Sequence, residues 1–154
     1  MIKYVQGDIF LSDAEAIVNT VNTVGVMGKG LALQFKKKFP ENYKAYVKAC
    51  QEGKVSLGKM FIYPHQNLLG NLRYIINFPT KGHWKGNSNI DDIRSGLESL
   101  RNDLKHLGIK SIAIPPLGCG LGGLSWRDVR GLIEETFKDI QDIDIFVYAP
   151  STSK

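Results

Sequence analysis

Cysteine is scarce, with Cys50 and Cys119 the only two in 154 residues. Two thiols make no disulfide framework, and no Cys/His cluster has the spacing of a zinc site. Long hydrophobic runs are missing too. The longest, Ile112 to Leu117 and Ile145 to Pro150, fall far short of the ~20 residues that a helical membrane span needs. Met1-Ile2-Lys3-Tyr4 is followed at once by Gln6, Gly7 and Asp8, so the N-terminus lacks the pattern of a signal peptide. With 43% hydrophobic and 23% charged residues the chain is too apolar to be disordered. A chain of this length buries roughly two thirds of its unfolded surface, so neither metal nor disulfide is needed to hold it together. No repeat, linker or low-complexity stretch divides it. One soluble cytoplasmic domain over residues 1–154, with no membrane partner, is the expectation.

Acid is scarce in the first half. Residues 1–80 carry ten Lys/Arg against five Asp/Glu, whereas residues 81–154 carry ten of each, so the net +5 sits entirely in the first half. Between Lys29 and Lys48 six lysines face a single acid, Glu41. Such a stretch attracts polyphosphate or nucleic acid, or it is simply a solvated helix face; charge alone leaves both open.

Short β-branched runs alternate with helical periods. Ile2 to Gln6, Ala16 to Asn19, Lys59 to Tyr63, Leu72 to Phe78, Ser111 to Ile114 and Ile143 to Tyr148 read as strands. Several are apolar on both faces, as in a sheet covered on each side. Leu31 to Phe39 reads as a helix, and Pro40 suits the first turn of the next, with Tyr43, Val47 and Cys50 as its apolar stripe. Ser88 with Asp91 three residues on predicts the start of a long helix striped by Ile90, Ile93, Leu97, Leu100, Leu104 and Leu107, and closed by Gly108. Ser125 and Asp128 open a last one, burying Val129, Leu132, Ile133 and Phe137. The pattern is α/β, a mixed sheet between helical layers.

Sixteen glycines exceed the average of about 7%, and they cluster. Gly25, Gly28 and Gly30 lead into a helix; Gly118, Gly120, Gly122 and Gly123 follow a strand. Glycine lets backbone amides approach a ligand, and successive amides at a loop-to-helix junction form a nest for anions. Two such turns at the carboxyl edge of an α/β sheet suit the two phosphates of one nucleotide-like ligand. Neither is a standard motif. Gly25-Val26-Met27-Gly28-Lys29-Gly30 lacks the four-residue gap of a P-loop and has Gly30 where a Ser/Thr should bind magnesium.

Taken together these segments are far more specific. Gly7-Asp8-Ile9-Phe10, then Ala16-Ile17-Val18-Asn19-Thr20-Val21-Asn22, then the two glycine turns, resemble the macrodomain family from the first strand to Tyr148. Gly25 to Phe35, Asn77-Phe78-Pro79-Thr80-Lys81-Gly82-His83-Trp84 and Pro115 to Leu124 narrow the resemblance. They look like the DNA ADP-ribosyl glycohydrolase antitoxins of that family, of the DarG type, in the branch that includes the terminal ADP-ribose protein glycohydrolase. The resemblance implies a three-layer α/β/α fold, ADP-ribose as ligand and no cofactor or metal. It further implies ADP-ribosylated single-stranded DNA as substrate and a DarT-like DNA ADP-ribosyltransferase toxin as cognate partner. In the antitoxins a C-terminal region engages the toxin, so the chain is expected to be a catalytic N-terminal part or a stand-alone relative.

By the same resemblance Asp8 accepts a hydrogen bond from the adenine amino group, with Ile9 beside it; turn capping is its plainer role. Amides of Gly28, Lys29, Gly30, Leu31, Ala32 and Leu33, and of Gly118, Cys119, Gly120, Leu121 and Gly122, hold the diphosphate and distal ribose. Asn22 reaches the ribose hydroxyls, flanked by Thr20, Val21 and Thr80, while Asn19 bonds backbone between strands. Cys119 stands in a turn that binds through backbone, with no triad around it, and Cys50 reads as core. Lys81 follows the Asn-Phe-Pro-Thr turn and carries the chemistry: a primary amine at the anomeric carbon attacks it or moves a proton, provided burial favours its neutral form. His83 and Trp84 meet the base or strand, or merely brace the loop. One departure stands out: the protein-directed relative has an acid where this chain has Gly122, so a lysine-plus-acid mechanism does not carry over. Two rivals to DNA-directed hydrolysis are a non-catalytic ADP-ribose reader and a hydrolase of protein-linked ADP-ribose.

Overall fold

The computed structural model describes residues 1–66 and 69–150. Six strands, β1 (Ile2–Val5), β2 (Ala16–Asn22), β3 (Phe61–Pro64), β4 (Tyr74–Lys81), β5 (Ser111–Ile114) and β6 (Asp144–Tyr148), form one sheet in the order β1-β6-β5-β2-β4-β3. All neighbours are parallel except β3, which runs antiparallel to β4. Four helices cover it: α1 (Gly30–Lys38), α2 (Pro40–Gln51), α3 (Ile90–Leu107) and α4 (Trp126–Phe137). No helix among the described residues is long and apolar enough to cross a membrane.

Strand alternation sorts the core into two layers. Ala16, Val18, Ile76, Phe78, Ile112, Ile114, Ile145 and Val147 pack with Ile93, Leu97, Leu100 and Leu104 of α3 and Val129, Ile133 and Phe137 of α4. The intervening positions Ile17, Ile75, Ala113 and Tyr148 turn to the other face, where Phe35 of α1 sits. Beside it Val21 and Met27 meet Tyr46 and Ala49 of α2. The three-layer α/β/α arrangement follows from strands that are apolar on both faces. Helix α3 approaches β4 so closely that a Cβ on Gly96 would overlap the Phe78 ring, which fixes glycine there.

The structure corrects several boundaries, two of which matter for the site. Strand β2 continues three residues beyond Asn19, and β4 runs on through the segment read as an Asn-Phe-Pro-Thr turn to end at Lys81. Pro79 is tolerated because β3 pairs only with Tyr74–Asn77, and a register shift opposite Val21/Asn22 absorbs the missing donor. Helix α3 is capped by Asn89, whose side chain accepts from the Asp91 amide at 2.9 Å, and not by Ser88. Strand β3 begins at Phe61, not Lys59. Asn19 is structural as expected, but its partners are side chains: Asn77 Oδ1 at 3.3 Å, within a buried cluster that includes Asn42.

Candidate functional site

A cavity of about 530 Å³ lies beyond the carboxyl ends of the central strands. Both glycine turns line it, together with the Asp8 turn, Thr20 to Asn22, Thr80 and Lys81, and the residues after β6. That volume suits a nucleotide-sized ligand.

The first glycine turn is built around Asn22. Its Oδ1 accepts from the amides of Val24 (3.1 Å) and Val26 (3.2 Å), and its Nδ2 donates to the Val26 carbonyl at 2.7 Å. From α2 the Tyr46 hydroxyl lies 2.8 Å from the same Oδ1 and 2.7 Å from the Asn22 carbonyl oxygen. Tyr46 is wholly buried, and burial raises its phenol above the ordinary range, so the proton stays to be donated. Asn22 lines the cavity, yet its amide is almost fully engaged in folding the turn, leaving one N–H for a ligand. The expected role on the ribose hydroxyls is therefore secondary to a structural one. Replacing Asn22 with Ala strands the Val24 and Val26 amides, a loss of ~2 kcal/mol or more, while the Tyr46 hydroxyl keeps the residue's backbone carbonyl as acceptor. We expect Tm to fall by about 4–8 °C and ADP-ribose affinity to fall with it. A calorimetric scan matching wild type would show that the turn does not depend on this side chain.

Beyond that turn α1 begins without a side-chain cap. Lys29 at the cap position is extended, and Gly30 has φ +58°, a left-handed conformation that glycine takes without strain. Among the described residues the amides of Gly28 to Ala32 donate to no backbone carbonyl, so the positive end of the helix lies at the cavity with its donors unspent. Leu33 is different. Its amide bonds the Lys29 carbonyl at 3.3 Å and it does not line the cavity, so it leaves the expected ligand set.

The second turn closes on itself through Leu124 N–H to the Gly118 carbonyl (2.9 Å), Cys119 N–H to Pro116 (3.2 Å) and Gly123 N–H to Gly120 (3.4 Å). Among the described residues the amides of Gly120, Leu121 and Gly122 find no backbone acceptor. Gly118 has φ +70°, and a Cβ there would stand 2.8 Å from the Leu124 side chain. A Cβ on Gly122 would overlap Ser88 Oγ and lie 2.5 Å from the Gly118 oxygen. The turn therefore has no room for a side chain at 122, acidic or otherwise. Burial pushes the Cys119 thiol up to about 11, so it is protonated at neutral pH and unsuited to nucleophilic attack.

The register pairs Lys81 with Asn22, delivering the lysine to the cavity wall beside the first turn. Thr23 ties the two segments further, its amide and hydroxyl both donating to the Gly82 carbonyl (3.3 and 2.9 Å). Among the described residues Asp8 is the only carboxylate on the wall; one oxygen caps the Ile9–Leu11 turn by accepting from Phe10 N–H at 2.9 Å, and the residue stays exposed. Both roles weighed for Asp8 are thus compatible. Trp84 reaches the cavity rim with 42% exposure, stacked on His83 at 5.4 Å, with the Lys85 ammonium 4.9 Å from its ring centre. His83 itself is off the cavity.

Sequence reasoning missed Phe10, Gln34, Pro115, Pro116 and the Tyr148-Ala149-Pro150 wall. The signal for the last was available, since these residues follow directly on a central strand, where α/β sheets bind ligands.

A family model for the Macro domain matches residues 18–133. The chain is a macrodomain. Among solved structures, the macrodomain of Mycobacterium tuberculosis DarG aligns with TM-score 0.95 and 50% identity, covering 98% of this macrodomain and 99% of that chain. Thermosipho africanus DarTG in complex with ADP-ribose aligns with TM-score 0.93 and 38% identity over 99% of this chain and 42% of that one. The DNA ADP-ribosyl glycohydrolase of Thermus aquaticus is 48% identical over 150 residues, 97% of this macrodomain and 41% of its own length. The chain thus spans about two fifths of the length of the curated relatives it matches.

Proposed function

We propose that this macrodomain is the catalytic portion of a DNA ADP-ribosyl glycohydrolase. It removes ADP-ribose from thymine bases of single-stranded DNA in the cytoplasm and so reverses a DarT-like transferase toxin. The observation that carries the reading is the placement of Lys81 beside the Asn22 turn, in a cavity with two sets of unspent amides. The amides of Gly28 to Ala32 and of Gly120 to Gly122 hold the diphosphate and distal ribose, which brings the anomeric carbon toward Lys81. No side chain fits at position 122, and the one carboxylate on the wall among the described residues is Asp8, which we assign to the adenine end. Acid–base or nucleophilic chemistry at the anomeric carbon then falls to the Lys81 amine. Either it attacks that carbon, displacing the base, and water cleaves the adduct, or it moves a proton between the attacking water and the leaving base. The names of the relatives, at 48–50% identity, support DNA over protein as the carrier of the ADP-ribose.

The test is incubation with ADP-ribosylated single-stranded DNA and, in parallel, with ADP-ribosylated protein. Release from DNA is expected. Release from protein alone would replace the substrate class, and release from neither would make this a reader. If the lysines between Lys29 and Lys48 contact the strand, affinity for DNA-linked ADP-ribose falls more steeply with salt than affinity for free ADP-ribose. Parallel slopes would mean that these lysines only solvate the domain.

A further inference from the structure

Ser88 carries a buried hydroxyl with no hydrogen-bond partner. The residue is 8% exposed and stands one position before the Asn89 cap of α3, so its backbone is held by a long, well-packed helix. Its amide donates to the Gly122 carbonyl at 2.9 Å, fastening the segment after Lys81 to the second glycine turn. Its side chain fills the space beneath Gly118 and Gly122. Buried polar groups are paired in the great majority of cases, and one that is not calls for a physical reason.

A point where a Gly122 side chain would begin lies within contact of Ser88 Oγ and 2.5 Å from the Gly118 carbonyl oxygen. Both oxygens thus border one point that only glycine leaves open. Gly118 O accepts one hydrogen bond, from Leu124 N–H, and retains a second lone pair. A slight settling of the turn would let Ser88 Oγ–H donate to it. The unspent amides of Gly120, Leu121 and Gly122 belong to this same turn, and a bound phosphate pulls on all three.

We propose that Ser88 is a positioning residue for ligand capture: its hydroxyl gains its acceptor, the Gly118 carbonyl, when the glycine turn settles on a bound diphosphate. This rests on the assignment of ADP-ribose to the cavity. A bond made only in the bound state adds to affinity, since a ligand shifts a conformation only by its differential interaction with the two states. It adds little to the chemical step, because Lys81 lies on a different strand. Ser88 touches no reacting atom.

The experiment compares Ser88→Ala with wild type by thermal unfolding without ligand, by calorimetric titration with ADP-ribose, and by steady-state hydrolysis. Deleting an unpaired buried hydroxyl should leave the ligand-free Tm equal or raised. The Kd for ADP-ribose should rise about five- to tenfold, the loss expected for one hydrogen bond, and KM should rise with it at unchanged kcat. A Kd within twofold of wild type would overturn the assignment. So would a lowered ligand-free Tm, because the hydroxyl would then be bonded before the ligand arrives. A wild-type protein that binds no ADP-ribose would instead remove the ligand reading itself, and the role of Ser88 with it.

Discussion

Lys81→Ala should abolish turnover while leaving the ligand bound. On the proposed reading the ligand is held through backbone amides of two glycine turns, which this substitution does not touch. Affinity for ADP-ribose should survive within about tenfold, or about 1.4 kcal/mol. Cleavage of ADP-ribosylated DNA should drop by at least ~100-fold, the lower range for losing a positioned acid or base, and further if the amine is the nucleophile. Single-turnover kinetics beside calorimetry separate the two quantities. A lysine that merely pairs with phosphate gives the reverse result, weaker binding and nearly normal kcat. Lys81→Arg sharpens the comparison, since a guanidinium keeps its charge but neither attacks carbon nor takes a proton at neutral pH. We expect no rescue; a fully active Arg variant would reduce Lys81 to an electrostatic contact.

Gly122→Ala should weaken ligand binding strongly without unfolding the domain. The added Cβ would overlap Ser88 Oγ, and two further neighbours are backbone atoms of Gly118, at 2.5 and 2.9 Å. A side-chain oxygen can rotate aside, but the Gly118 peptide cannot without opening the turn. Opening it misaligns the amides of Gly120 to Gly122, which act through geometry alone. ADP-ribose affinity should fall by about 100-fold. The turn borders one packed layer only through Leu117, Cys119 and Leu124, and the stability loss should stay within the ~1–3 kcal/mol usual for overpacking. Ser88→Gly combined with Gly122→Ala should recover only part of the affinity, because the clash with Gly118 remains. Wild-type binding by the single variant would show that the turn is not the phosphate cradle.

The sequence by itself determined the layers, most of the strands, the long helix and the two glycine turns at the sheet's carboxyl edge. Each follows from a local rule: β-branched runs that are apolar on both faces, a three-four stripe such as Ile93, Leu97, Leu100 and Leu104, glycines placed where a backbone must approach a ligand. The likeness of those segments to a family added the ligand and the lysine. What local rules missed turns on partners distant in the chain. Pro79 reads as a strand breaker until β3 is seen to end before reaching it, which extends β4 to Lys81. Asn22 reads as a ligand contact alone until Tyr46 on α2 and the Val24 and Val26 amides are found to occupy most of its side chain. Ser88 reads as a helix cap until Asn89 takes that place and the hydroxyl is found beneath Gly118 and Gly122, some thirty residues further along. In all three, a residue's function was set by which segment packs against it. Sequence spacing does not encode that, because it is the register of the sheet and the meeting of two loops that bring those atoms together.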